Sequence, residues 1–209
     1  MDRWPPLLRW TLIVWPGECL AFAIPATVWS VLASLEVPPV VLLFGVALAG
    51  LGEGAVLGFA QSQVLPLFVA GVDPRRWVQL TAAGAFFAWG LGMLPSTLSD
   101  LGAPLGVTIA VGVVAAPLLV LALSGPQAWL LRGHIEGAWW WVVVNVAAWG
   151  AGLPMTFISG LFVDEGSSTT RIAIAFGTGG VAMAFIAALG LGAGLRWMVR
   201  TGPRAARQM

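Results

Sequence analysis

Two glutamates fall inside long apolar runs, where a carboxyl must either find a partner or handle something that moves. Glu53 stands about 20 Å from the outer end of its run at 1.5 Å rise per residue, near the middle of a bilayer. A charged carboxylate at that depth costs several kcal/mol unless it is paired, hydrated or protonated, and such groups face a bundle interior or a cavity. Gly50, Gly54, Gly58 and Gln61 recur around it at helical spacing, a small-residue stripe on which a second helix can approach closely. Glu18 lies about nine residues into the first run, after Pro16 and Gly17, where a proline frees a carbonyl and lets the helix kink. The expected chemistry is an ion or solute site built from Glu53 and Glu18, with Gln61 and Asn145 as further polar groups. Its plainer counterpart is a neutral Glu53 donating to a backbone carbonyl. Gln61, Gln63, Gln127, Thr81 and Asn145 would then be interhelical hydrogen bonds worth about 0.6 to 2 kcal/mol each.

Residue types that are absent narrow the chemistry further. All ten basic residues are arginine, so no lysine amine is present for a retinal or pyridoxal Schiff base. One Cys (Cys19) and one His (His134) leave no internal disulfide, no Cys/His metal cage and no haem held by two histidines. With no Tyr, a phenol is missing from any proton relay. Ser96, Ser99, Ser159 and Ser168 belong to the membrane face opposite His134, which argues against serine proteolysis within the membrane. A net charge of +1 speaks against nucleic acid as a partner. The residues point to no particular cofactor. Trp15, Trp89 and Trp149 sit beside glycines, where a ring either fills the groove or stacks on an apolar pigment.

The elements that position these groups follow from composition. Of the 209 residues, 59% are hydrophobic and 9% charged, against about 25% charged in a soluble domain. Such a chain has too little polar surface to cover a globule in water, whereas helices in lipid need no such cover. A bilayer core takes about 20 apolar residues per helix. Six runs fit, at 9–33, 39–68, 77–97, 103–131, 138–162 and 173–198, separated by Glu36 to Pro39, Asp73 and Pro74, Ser99 and Asp100, Gly133 to Gly137, and Asp164 to Thr170. An all-α membrane protein with one six-helix domain is expected. The first run is expected to stay as a span rather than be removed as a signal peptide, since it continues for about 24 residues with Glu18 inside it. Cys19, preceded by Glu18, does not suit a lipoprotein cleavage site.

Basic residues are retained on the cytoplasmic side. Both termini with the second and fourth loops hold Arg3, Arg9, Arg75, Arg76, Arg132, Arg196, Arg200, Arg204 and Arg207, while the other loops hold Arg171 alone. Both termini are therefore expected in the cytoplasm and the protein in a bacterial inner membrane. Trp4, Trp10, Trp77, Trp129, Trp139, Trp140, Trp141 and Trp197 gather at the same interface, with Trp29 at the other.

The chain also repeats itself. Trp89-Gly90-Leu91-Gly92 before Leu94-Pro95-Ser96-Thr97 matches Trp149-Gly150-Ala151-Gly152 before Leu153-Pro154-Met155-Thr156, and Gln63 precedes Trp77 as Gln127 precedes Trp141. A degenerate copy runs through Arg9-Trp10 and Trp15-Pro16-Gly17. Three hairpins in parallel orientation are expected. Gly52 to Gln61, Arg76-Trp77-Val78, Gly125 to Arg132 and Trp139-Trp140-Trp141-Val142 resemble a loose group of glycine-rich bacterial repeat membrane proteins, whose units run Gly-rich helix, Gln, Leu-Arg, Trp-Val. The resemblance covers roughly residues 50–155 and implies a fold, not an activity. Pro66 and Leu67 depart from it, where a basic pair is usual.

Two functions suit these residues: a transport or channel component working through Glu53 and Glu18, or a non-catalytic subunit docking a larger membrane complex, with lipid or pigment between. Lipid, other membrane subunits and further copies of the chain are the expected partners. The short loop with Arg132, His134 and Glu136 and the longer one from Asp164 through Glu165 to Arg171 read as solvated segments.

Overall fold

The computed structural model describes residues 4–164 and 166–201, so Arg3, Glu165, Arg204 and Arg207 lie outside the described residues. Of the described residues, 84% are helical, and no strand occurs among them. The helices are α1 (Pro6–Ser34), α2 (Pro39–Val64), α3 (Pro74–Asp100), α4 (Leu105–Leu131), α5 (Trp140–Gly152), α6 (Pro154–Gly160) and α7 (Thr169–Thr201), with a 3₁₀ turn at Leu65–Leu67. Taking α5 and α6 as one, six helical segments are long and apolar enough to cross a membrane, the architecture of a multi-pass membrane protein.

Local chemistry explains the boundaries. Pro39, Pro74 and Pro154 open helices where a missing N–H costs nothing. Asp73 caps α3 by accepting from the Arg75 and Arg76 amides at 2.9 and 3.4 Å, which starts that helix three residues before the expected 77. Ser99 and Asp100, read as a break, are instead the last residues of α3. The turn proper follows at Gly102 (φ 80°), with Ala103 N donating to Leu98 O and Gly102 N to Ser99 O. The α1–α2 turn closes by the same bonds, Val37 N to Leu32 O and Glu36 N to Ala33 O, with Glu36 at φ 51° where glycine would be unstrained.

The expected continuous span 138–162 is two helices. Pro154 has no N–H to continue the ladder, so α5 stops at Gly152 and α6 restarts at Pro154. Pro16, Pro25, Pro95, Pro117 and Pro126 are held inside α1, α3 and α4, as membrane helices permit when neighbours meet the freed groups. Hydroxyls turn back on their own helices, as in Thr27 to Ala23 O and Ser124 to Val120 O, because lipid offers no other acceptor.

Successive spans pack side by side and α7 returns to α1, so the six form a closed ring. The compact core fills the end carrying Arg9, Arg75, Arg76 and Arg132, where Trp10, Trp77 and Trp141 are fully buried with Val14, Leu131 and Leu195. Toward the other end, Leu105, Ile109, Val113 and Val114 of α4 and Phe157 and Leu161 of α6 are exposed.

Candidate functional site

Inward-facing positions of α1 recur at Trp10, Val14, Glu18, Ala21 and Pro25, and those of α2 include Val46, Gly50, Glu53, Leu57 and Gln61. Both carboxyls therefore point into the ring rather than to lipid. Glu18 is 2% exposed, and both of its oxygens are buried without a hydrogen bond. Glu53 is 8% exposed and accepts from the Trp89 indole N–H of α3. The Phe22 ring of α1 lies 5.8 Å from that indole, so an aromatic pair walls Glu53.

Glycines set the helix separations that make this possible. A Cβ at Gly17 would meet the Ala60 side chain at 2.5 Å, and one at Gly52 would meet Ile24 at 3.4 Å, which places α1 and α2 in close antiparallel contact. Gly50, Gly54 and Gly58 face α3, where a Cβ would lie 2.8 Å from Ala85 O, 2.5 Å from Thr81 O and 3.0 Å from Val78 Cα respectively. Since Gly17 is level with Ala60 on an antiparallel helix, Glu53 stands about 9 Å farther along the ring axis than Glu18 at 1.5 Å per residue. The carboxyls occupy successive depths rather than one point. Away from the arginines and Asp100 near the helix ends, Glu18, Cys19 and Glu53 are the titratable side chains of the spans. No group of three or more metal-ligating side chains occurs among the described residues.

Gln61 and Asn145 take other partners. Gln61 Oε1 accepts from the Trp77 indole at 3.0 Å and from Gln127 Nε2 at 3.4 Å, while Asn145 donates to Trp141 O at 2.8 Å. Gln127 also donates to Thr81 Oγ1 and accepts from the Trp141 indole, both at 2.8 Å. These groups form one hydrogen-bonded layer across α2, α3, α4 and α5, on the arginine side of Glu53. The glutamine that Trp77 reaches is Gln61; Gln63, whose spacing matches Gln127, faces outward.

Trp89 is the partner of Glu53 that the sequence reading missed, since packing beside Gly90 was its expected role. A Cβ at Gly50 would meet both Ala85 O and the Trp89 ring at 2.8 Å, a contact between distant helices that the sequence does not signal. Trp15 donates to Val181 O at 3.1 Å, and the Trp149 indole N–H is buried without an acceptor. A shallow groove of about 480 Å³ lies between Trp15 of α1 and Gly177, Val181 and Phe185 of α7, and holds neither carboxyl. No family model, no curated protein and no solved structure matches this chain.

Proposed function

We propose that the chain is a transport or channel component of a bacterial inner membrane, with Glu18 and Glu53 as successive stations for a proton, cation or small solute. The observation that carries this reading is Glu18: both oxygens are buried without a hydrogen bond on the inward face of a span. A group that only held helices together would have its hydrogen bonds made. Both termini and the arginine loops face the cytoplasm in this reading, by the nine-to-one arginine bias.

Repetition supports the same frame. Trp77 and Trp141 each donate to a glutamine of the preceding span, Gln61 and Gln127. Four residues after each tryptophan, Thr81 and Asn145 donate back to its carbonyl. Trp10 makes the corresponding bond to Ala188 O of α7 at 2.9 Å. The repeating unit is then an even span with the odd span that follows, closed by the last span with the first, in the manner of the glycine-rich repeat proteins.

The test is flux in proteoliposomes under a proton gradient. Glu18→Gln and Glu53→Gln each lower it by about tenfold or more, and the double variant is no worse than the singles because both serve one path. Flux unchanged in Glu53→Gln overturns the reading. The rival, an assembly subunit, is favoured by the exposed apolar faces of α4 and α6; it is supported by stoichiometric partners co-purifying with a protein that carries no flux.

A further inference from the structure

We infer that the outer crease between α5 and α7, at the arginine end of the ring, holds an anionic phospholipid. Its phosphate rests on Arg196 and Arg200, and one acyl chain runs along the crease below Trp140 and Trp197. The site is separate from both carboxyls and does not depend on the chain carrying flux.

Close helix approach makes the crease. A Cβ at Gly190 would stand 2.9 Å from Ala148, and one at Gly194 would run into Val144, so α5 and α7 touch along these positions. Beside that line both helices carry small exposed residues. Ala193, four positions before Trp197, and Ala147, seven after Trp140, share the faces of those rings. At 1.5 Å per residue they lie about 6 and 10 Å deeper in the apolar part of the ring. Val143 and Leu189 are exposed farther out on the same two helices, so the alanines floor a trough with taller apolar rims. At its head the Trp140 and Trp197 rings meet edge to face at 5.6 Å, and both remain exposed. Amphipathic rings so placed belong at the depth of lipid headgroups.

Charge decides which lipid. Arg196 and Arg200 are one turn apart on α7, flanking Trp197, and neither forms an ion pair among the described residues. Other arginines of this end are engaged: Arg76 pairs with Asp73 at 3.7 Å, and the Arg132 guanidinium lies 5.1 Å above the Trp129 ring. Two guanidiniums at this spacing suit one phosphate, which each can meet with paired N–H donors. Neither α5 nor α7 carries a carboxylate, so the ammonium of a zwitterionic headgroup would meet like charge and no counter-charge. An anionic headgroup has no such cost. The apolar trough leading away from the arginines favours a phosphate that carries an acyl chain over a free phosphate ester.

The experiment is native mass spectrometry of the full chain in detergent, titrated with phosphatidylglycerol or with phosphatidylcholine of the same acyl chains. One phosphatidylglycerol is expected to bind about tenfold or more tighter than phosphatidylcholine, and millimolar glycerol 3-phosphate is expected not to displace it. Replacing Arg196→Gln and Arg200→Gln together removes the preference. Arg75→Gln with Arg76→Gln, the same change of net charge at the same end, leaves it in place. Ala193→Trp keeps both arginines but fills the trough, and is expected to weaken phosphatidylglycerol severalfold with an unchanged size-exclusion profile. Equal binding of the two lipids overturns the inference, as does a preference that survives the Arg196 and Arg200 double variant or falls equally in the Arg75 and Arg76 one. Displacement by glycerol 3-phosphate, or unchanged binding in Ala193→Trp, overturns the acyl chain's place in the crease.

Discussion

Single side chains here are worth what their partners make them. Gln127 spends both ends of its amide, donating to Thr81 and Gln61 and accepting from Trp141, while being 2% exposed. Gln127→Leu strands the Trp141 indole in an apolar interior, while the Gln61 oxygen keeps its bond from the Trp77 indole. A stranded group costs about 1 to 3 kcal/mol, so unfolding in mixed micelles is expected to show a loss of at least that size. Gln63→Leu, on an exposed neighbour of the same type, is expected to change stability by less than about 0.5 kcal/mol. Equal losses for the two would dissolve the distinction between them. Trp89 plays the comparable part for Glu53, the only donor recorded to that carboxyl among the described residues.

At the scale of elements, the glycines divide into those that let helices touch and those that face open space. Gly54 belongs to the first kind: a methyl group there would meet Thr81 O at 2.5 Å and Ala82 Cα at 2.6 Å, both backbone, which cannot rotate away. Gly54→Ala is therefore expected to push α2 from α3 and cost about 1 to 3 kcal/mol. Gly180 of α7 has nothing within 4 Å, so Gly180→Ala is expected to gain up to about 1 kcal/mol from helix propensity alone. Chemical unfolding of the two variants side by side checks the pair, and a gain for both would mean that propensity rather than approach distance governs these positions. The break at Pro154 has the same local character: a missing N–H is legible in any sequence, but its consequence, a short α6 that leans on α7 and leaves α4 uncovered, depends on neighbours.

For the molecule as a whole, the decisive contact is the one that shuts the ring. Trp10 reaches Ala188 O, Trp15 reaches Val181 O, and a Cβ at Gly192 would lie 2.9 Å from Leu7 Cδ1. With Cys19 replaced by Ala, the pair Leu7→Cys and Gly192→Cys is expected to cross-link within one chain upon oxidation, seen as a faster-migrating monomer on a non-reducing gel. A cross-linked dimer would instead place α1 of one copy against α7 of another and open the ring.

Much of this architecture was present in the order of residues. The six helices long and apolar enough to span, with their limits to within a few positions, follow from how many apolar residues cross a bilayer and where prolines and charges interrupt them, which are local properties of the chain. The Gly50, Gly54 and Gly58 stripe likewise announced a close helix neighbour. What the order of residues left open was rotation and pairing: Gln61 rather than Gln63 under Trp77, Trp89 on Glu53, Glu18 with no partner, and α7 returning to α1. Those outcomes depend on which faces meet across helices far apart in sequence. Backbone approach at a handful of glycines decides them, and only the assembled ring supplies it.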